Sequence, residues 1–123
     1  MVKVILDTNF ILNCIRNKLD FYEELIFRGD IPIIPLQVVE EIKRLRDGSK
    51  ALKFRDEANI ALKLFENHST EFIDAPGKYV DLGIKKYCSE HPEVVLATMD
   101  SELKKSVRNR KLVLRNKKKL ELQ

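Results

Sequence analysis

The sequence predicts an α/β fold built on a largely parallel sheet, and three observations predict it. Apolar runs suited to strands alternate with helical periodicities along the whole length. The two strongest runs, Val2–Leu6 and Val94–Ala97, are near-continuous rather than alternating, as suits strands covered by helices on both faces. Each also runs directly into polar residues that include an acid, Asp7 after the first and Asp100 after Thr98 and Met99 in the second.

In chain order, the first strand yields to a helix over Thr8–Asn17, where Phe10, Ile11, Cys14 and Ile15 recur at helical spacing. Asp20 is a candidate N-cap for a short helix carrying Phe21, Leu25 and Ile26, with Gly29 as its stop. Ile31–Pro35 reads as a short strand whose prolines restrict its hydrogen bonding. A helix over 36–47 follows, then a turn at Asp47-Gly48-Ser49, then a longer helix over Lys50–Asn67 with Leu52, Ala58, Ala61, Leu62 and Phe65 inward. Glu71–Asp74 is a brief strand closed by Pro76-Gly77, and Tyr79–His91 a helix ended by Pro92. After the Val94–Ala97 strand come a helix over Ser101–Arg108 and a last strand at Leu112–Leu114. His68 and His91 flank turns and read as surface residues.

A chain of 123 residues has room for one domain with a substantial core and not for two. With 44% hydrophobic and 34% charged residues it is globular in composition, and no stretch approaches the roughly 20 apolar residues that span a bilayer. The opening MVKVILD has none of the parts of a signal peptide, so an intracellular, cytoplasmic address is expected, without a membrane. Cys14 and Cys88 lie far apart with no metal-ligand spacing, and are expected to be small core side chains. The net charge of +4 is unevenly spread: residues 101–123 carry nine Lys or Arg against Glu102 and Glu121, a net +7 that leaves −3 for the first hundred. A basic C-terminal segment on a slightly acidic body points to a polyanion partner, with a solvated face as the plainer alternative.

Helical geometry sorts the acids. Val38, Ile42 and Leu45 mark the inward stripe of the 36–47 helix; at about 100° per residue Glu41 falls beside Leu45, while Glu40 points nearly opposite. In the 79–91 helix Val80, Ile84, Tyr87 and Cys88 form the stripe, and Asp81 lies at its margin in the first turn, where an acid also suits the helix dipole. Asp7 and Asp100 follow parallel strands and therefore share the sheet edge at which ligands bind in open α/β folds, although either also serves as a helix cap. Four acids from separate elements can thus meet. Crowded carboxylates call for a cation, and hard oxygen donors suit Mg²⁺ or Mn²⁺. The chemistry that follows is phosphodiester hydrolysis, with metal supplying the nucleophile and a second ion, if bound, steadying the leaving oxygen. No Gly-rich phosphate loop, G-x-S-x-G elbow or Cys/His couple supports another mechanism.

The set Leu6-Asp7-Thr8-Asn9, Pro35 with VVEEIKRL over 38–45, Asp81-Leu82-Gly83-Ile84 and Ala97-Thr98-Met99-Asp100 resembles a PIN domain, the metal-dependent ribonuclease fold, in the right order over nearly the whole chain. The resemblance implies a three-layer α/β/α architecture with a central, mostly parallel sheet, a single domain over 1–123 with a basic C-terminal segment, and metal-dependent endoribonuclease activity in RNA processing. It implies an acidic quartet of Asp7, Glu41, Asp81 and Asp100, with Asn9 and Thr98 positioning ligands or water, Glu102 as an additional metal ligand, RNA as partner and a homodimer as assembly. The sequence departs from the family where Leu82 follows Asp81 in place of a frequent second acid, and where Met99 replaces a small or amide residue. ATMDSELKKSV and the basic ending are closer to small archaeal PIN proteins related to ribosomal-RNA processing nucleases than to toxins of toxin–antitoxin pairs. A degenerate PIN domain that binds RNA without cutting it is the rival. A haloacid-dehalogenase-type phosphatase would need a second Asp where Asn9 stands, and a receiver domain lacks its lysine and phosphoacceptor here.

Overall fold

Val4, Ile5 and Leu6 have at most 1% of their surface exposed in the computed structural model, which describes residues 1–123. They form β1 (Lys3–Leu6), and their complete burial reflects a sheet covered on both faces. The other strands are β2 (Ile31–Pro35), β3 (Glu71–Ile73), β4 (Val95–Ala97), β5 (Lys111–Arg115) and β6 (Lys119–Leu122). The helices are α1 (Thr8–Arg16), α2 (Phe21–Phe27), α3 (Leu36–Gly48), α4 (Leu52–Asn67), α5 (Val80–Glu90) and α6 (Ser101–Ser106). The fold class is the three-layer α/β/α arrangement with a mostly parallel sheet that the resemblance implies, and no helix is long and apolar enough to cross a membrane.

The sheet order is β3-β2-β1-β4-β5-β6, parallel throughout except for β6. From β1 the chain steps outward through β2 to β3, then crosses back to β4 and steps the other way to β5. Crossovers between parallel strands are right-handed, so this reversal sends the later helices to the opposite face. The packing agrees: α1, α3 and α4 pack on one another, and α5 packs on α6. The reversal lies between β1 and β4, which makes the carboxyl ends of these two strands the natural crevice of the fold.

Two prolines sit in β2 although it is an interior strand. The N–H of Ile31 bonds the Val2 carbonyl, so by alternation the nitrogen of Pro32 faces β3, and β3 begins only opposite Ile33. No ladder bond is sacrificed there. Pro35 ends the strand and serves as the N-cap residue of α3 at φ −60°.

α1 is tied to α4 by a bidentate ion pair, Arg16 Nε to Glu57 Oε2 at 3.0 Å and Arg16 Nη2 to Glu57 Oε1 at 2.9 Å, with Glu57 buried. This clamp steadies the helix that begins at Asp7. Asp20 caps α2 by accepting from Glu23 N, and Gly29 stops that region at φ +78°, as their residue types predict. Cys14 and Cys88 are both free and buried, which pushes their thiols up to about 12 and about 11.

Three expectations need correction. The helix over 36–47 does not break at Asp47-Gly48; it continues through Gly48, and the chain turns only at Ser49, whose N–H closes on the Leu45 carbonyl. Gly48 costs a helix only about 1 kcal/mol relative to Ala, which packing against α4 outweighs. Second, the strand expected at Leu112–Leu114 is not the last. Lys119–Leu122 pairs antiparallel with β5, and Asn116 and Lys117 both take positive φ (54° and 58°) in a tight turn that Lys118 N closes on the Arg115 carbonyl. Third, His68 and His91 are half-buried: each stacks on a tyrosine at 4.1 Å (Tyr22 and Tyr87), and each bonds through Nδ1 to a carbonyl four residues back, closing α4 and α5.

Candidate active site

Asp7 leaves β1 and becomes the N-cap of α1, so one residue both ends a buried strand and opens a helix. Its N–H continues the ladder to the Ala97 carbonyl at 3.1 Å, and its side chain is only 8% exposed. Oδ1 accepts from Thr8 N at 2.8 Å and Oδ2 from the hydroxyl of Thr98 at 2.9 Å. That hydroxyl, fully buried, in turn accepts from Asp100 N at 3.1 Å. Thr98 thus joins the end of β1 to the loop after β4 and holds the Asp7 carboxylate in one orientation.

All four acids of the expected quartet line one cleft of about 520 Å³ at this edge, together with Asn9, Glu40, Arg44, Lys78 and Tyr79. Glu41 is half-buried on α3 and Glu40 exposed beside it, with its carboxylate 3.7 Å from Lys43. Asp81 is exposed in the first turn of α5, and its Oδ1 accepts from Leu82 N at 3.0 Å. Asp100 caps α6, accepting from Glu102 N at 2.9 Å and Leu103 N at 3.2 Å. Capping and a place in the cleft, alternatives in the sequence, coexist in Asp7 and Asp100. Glu102 is exposed on α6 and is not among the residues lining the cleft.

The electrostatics register the convergence. The Asp7 carboxyl is raised above its ordinary value, first by burial, with the negative charges of Glu41 and Asp100 pushing the same way and the donors on Thr98 and Thr8 opposing. A raised acid contributes its stability in full below its unfolded value, 3.8, and loses it as pH rises through the folded value. Asp7→Asn is therefore expected to gain stability relative to the parent as pH rises through that window in metal-free buffer. Melting curves from about pH 3 to about pH 7 check this: parallel pH profiles for the two proteins would mean that the Asp7 charge carries no penalty.

The donor set, carboxylate oxygens around a buried acid that its neighbours disfavour as an anion, fits a hard divalent cation in kind. The acids share the cleft without being drawn together: no group of three or more His, Cys, Asp or Glu stands close enough to hold a metal ion. Asp7, Asp81 and Asp100 are each hydrogen-bonded to the start of their own helix.

The α5 wall of the cleft depends on two glycines. A Cβ on Gly83 would collide with the Ala75 carbonyl oxygen, and one on Gly77 would lie 2.7 Å from Gly83 N. Gln37 adds a clamp from α3, donating to Asp74 Oδ1 at 2.6 Å and accepting from Ala75 N at 3.0 Å. Gly83→Ala is expected to cost about 1–3 kcal/mol or more by forcing the 74–79 loop off α5. Urea unfolding checks it, and an unchanged midpoint would show that the loop yields freely.

The sequence reading did not identify Gln37, Arg44, Gly77, Lys78 or Tyr79 as site residues. Arg44 follows Glu41 by three positions on its helix, which is a usable signal for a shared face; the 77–79 segment offers none, because its place is set by contacts from α3 and α5.

Residues 4–117 match a family described as PIN like domain. The chain is 31% identical over 128 residues to the protein named Ribonuclease VapC4 of Methanocaldococcus jannaschii, covering 99% of this chain and 97% of that one. It is 31% identical over 110 residues to the rRNA-processing protein fcf1 of Schizosaccharomyces pombe, covering 85% of this chain but 53%, about half, of that protein's length. Among solved structures it is similar to the PIN domain endonuclease Utp24, with a TM-score of 0.78, 28% identity, and 98% and 90% of the two chains covered. VapBC2 from Rickettsia felis, solved with a DNA fragment from its promoter, shares the fold at a TM-score of 0.60 and 20% identity over 89% and 98% of the chains.

Proposed function

The chain belongs to the PIN-like domain family, and from that premise we propose that it is an endoribonuclease that hydrolyses RNA phosphodiester bonds with Mg²⁺ or Mn²⁺. The observation that carries the reading is that Asp7, Glu41, Asp81 and Asp100 line one cleft with Arg44 and Lys78 at the strand-order reversal. Asp7, Glu41, Asp81 and Asp100 would hold the cation. When bound, it supplies Lewis acidity to the phosphoryl group and a water acidic enough to attack at neutral pH.

The chain's own groups do the rest. Arg44 and Lys78 offset the negative charge of the acids and attract the RNA backbone toward them. Thr98 keeps the Asp7 carboxylate turned to one orientation, so little reorganisation accompanies binding. Asn9, exposed on the cleft wall at the start of α1, is placed to position substrate or water. Attack at phosphorus breaks one P–O ester bond, and the leaving oxygen takes a proton from solvent at the open mouth of the cleft.

Incubation of structured and unstructured RNAs with folded protein and either metal tests the reading. Internal cleavage that depends on metal supports it. Binding without cleavage under all conditions would favour the rival, an RNA-binding PIN domain.

The β5–β6 turn adds a second source of affinity. β5 runs parallel to β4, so Asn116, Lys117 and Lys118 emerge at the same sheet edge as Asp100, and Leu114 N reaches the sulfur of Met99 in the intervening loop at 3.5 Å. Replacing Lys117, Lys118 and Lys119 with Ser is expected to weaken RNA binding and flatten its salt dependence, by about 0.7 in slope for each phosphate that is no longer neutralised. Titrations across a salt series measure this, and an unchanged slope would assign the turn to solvent.

A further inference from the structure

We infer that the α5 side of the cleft is a nucleotide subsite in which Tyr79 stacks on an unpaired base while Lys78 and Arg44 hold adjacent phosphates. The inference rests on the ribonuclease reading above. It begins with an exposed aromatic ring: Tyr79 is 61% exposed, yet it lines the same cleft as the four acids. A single exposed aromatic is ordinary on a protein surface. This one is held in place. Its carbonyl accepts from Gly83 N at 3.2 Å, the loop before it is pressed against α5 where no Cβ fits at 77 or 83, and Gln37 fastens Asp74 and Ala75 to α3. The fixed backbone removes the loop-ordering part of the cost when a ligand covers the ring, leaving only its side-chain torsions to be ordered.

The charges around the ring complete the match. Lys78 Nζ lies over one face of the Tyr79 ring, 5.7 Å from its centroid, and neither Lys78 nor Arg44 takes part in any ion pair, although Glu40, Glu41 and Asp81 line the same cleft. The face of the ring away from Lys78 carries no other ring, and that face, with two cations free of ion pairs beside a set of acids, corresponds to one nucleotide: a base, its flanking phosphates and the bond to be cut. Both faces of a base within a duplex are already stacked, so only an unpaired nucleotide can use the ring. The subsite therefore selects single-stranded or looped RNA by stacking and is tolerant of base identity, because every base presents a π-face.

The chain contains no tryptophan, so Tyr79→Trp introduces a sole indole at the subsite. Its fluorescence is expected to be quenched, saturably, by a single-stranded RNA of mixed sequence and not by a duplex at the same phosphate concentration. Titrations run in chelating buffer, and again with Mg²⁺ on a Glu41→Gln background, so that cleavage does not enter the readout. In the same assays Tyr79→Ala is expected to bind single strands about 5- to 150-fold more weakly with duplex binding unchanged, and Tyr79→Phe to retain the parent affinity. Equal quenching by both RNAs, equal or no loss of the two affinities in Tyr79→Ala, or no single-strand binding under either condition would overturn the proposal. Because every readout is binding, failure of cleavage would count against the nuclease reading alone.

Discussion

Glu41→Gln is expected to lower RNA cleavage by roughly 10²- to 10³-fold or more, whereas Glu40→Gln leaves it close to the parent level. The two are neighbours on α3 and both lie along the cleft, so the contrast is demanding. Glu41 is half-buried and its charge is felt by Asp7; Glu40 is exposed and stands nearest Lys43 of its own helix. Glu41, rather than Glu40, is therefore the α3 acid that the proposed function assigns to a cation beside Asp7. Initial rates of cleavage with Mg²⁺ and with Mn²⁺ measure the difference, with melting curves to show that both variants fold. Equal losses from the two would falsify the assignment of Glu41 as the α3 ligand.

Asp100→Asn is expected to separate the two jobs of that residue. As N-cap of α6 its carboxylate accepts from Glu102 N and Leu103 N, and Asn caps a helix about as well. As one of four acids in the cleft its charge raises Asp7, and that repulsion vanishes with the charge. In chelating buffer the relief is partly offset by the loss of an anion at a helix N-terminus, about 0.3–1 kcal/mol, so the variant melts near or above the parent. Metal then distinguishes them. At a hundredfold excess over Kd, Mg²⁺ or Mn²⁺ is expected to stabilise the parent by about 2.7 kcal/mol and the variant by clearly less. The same metal response in both proteins would remove Asp100 from the ligand set and leave it a cap.

The acids themselves were legible because their signals are local. A strand buried on both faces declares itself by an unbroken apolar run, and the acid that ends it is the next residue along, as with Asp7 after Leu6. The difference between Glu40 and Glu41 follows from the turn of one helix relative to Val38 and Ile42, both fully buried. β6 escaped for the opposite reason. Lys119–Leu122 is too short and too charged to read as a strand alone, and becomes one only because β5 offers a free edge and Asn116 and Lys117 accept positive φ.

By itself the sequence determined the α/β class, the caps at Asp20 and Gly29, the buried β1 and β4, and the face of α3 that carries Glu41, since each depends on residues within a few positions of one another. Only the tertiary structure decided the strand order whose reversal sets Asp7 beside Asp100, the close approach at Gly77 and Gly83 that fixes Tyr79 and Lys78, and the spread of the four acids across the cleft. The strand order and the spread of the acids depend on which distant segments pack against which, and the approach at Gly77 and Gly83 on how the loop before α5 folds back on that helix and is fastened to α3 by Gln37. Such contacts follow from the fit of whole layers in space, and no spacing along the chain encodes them.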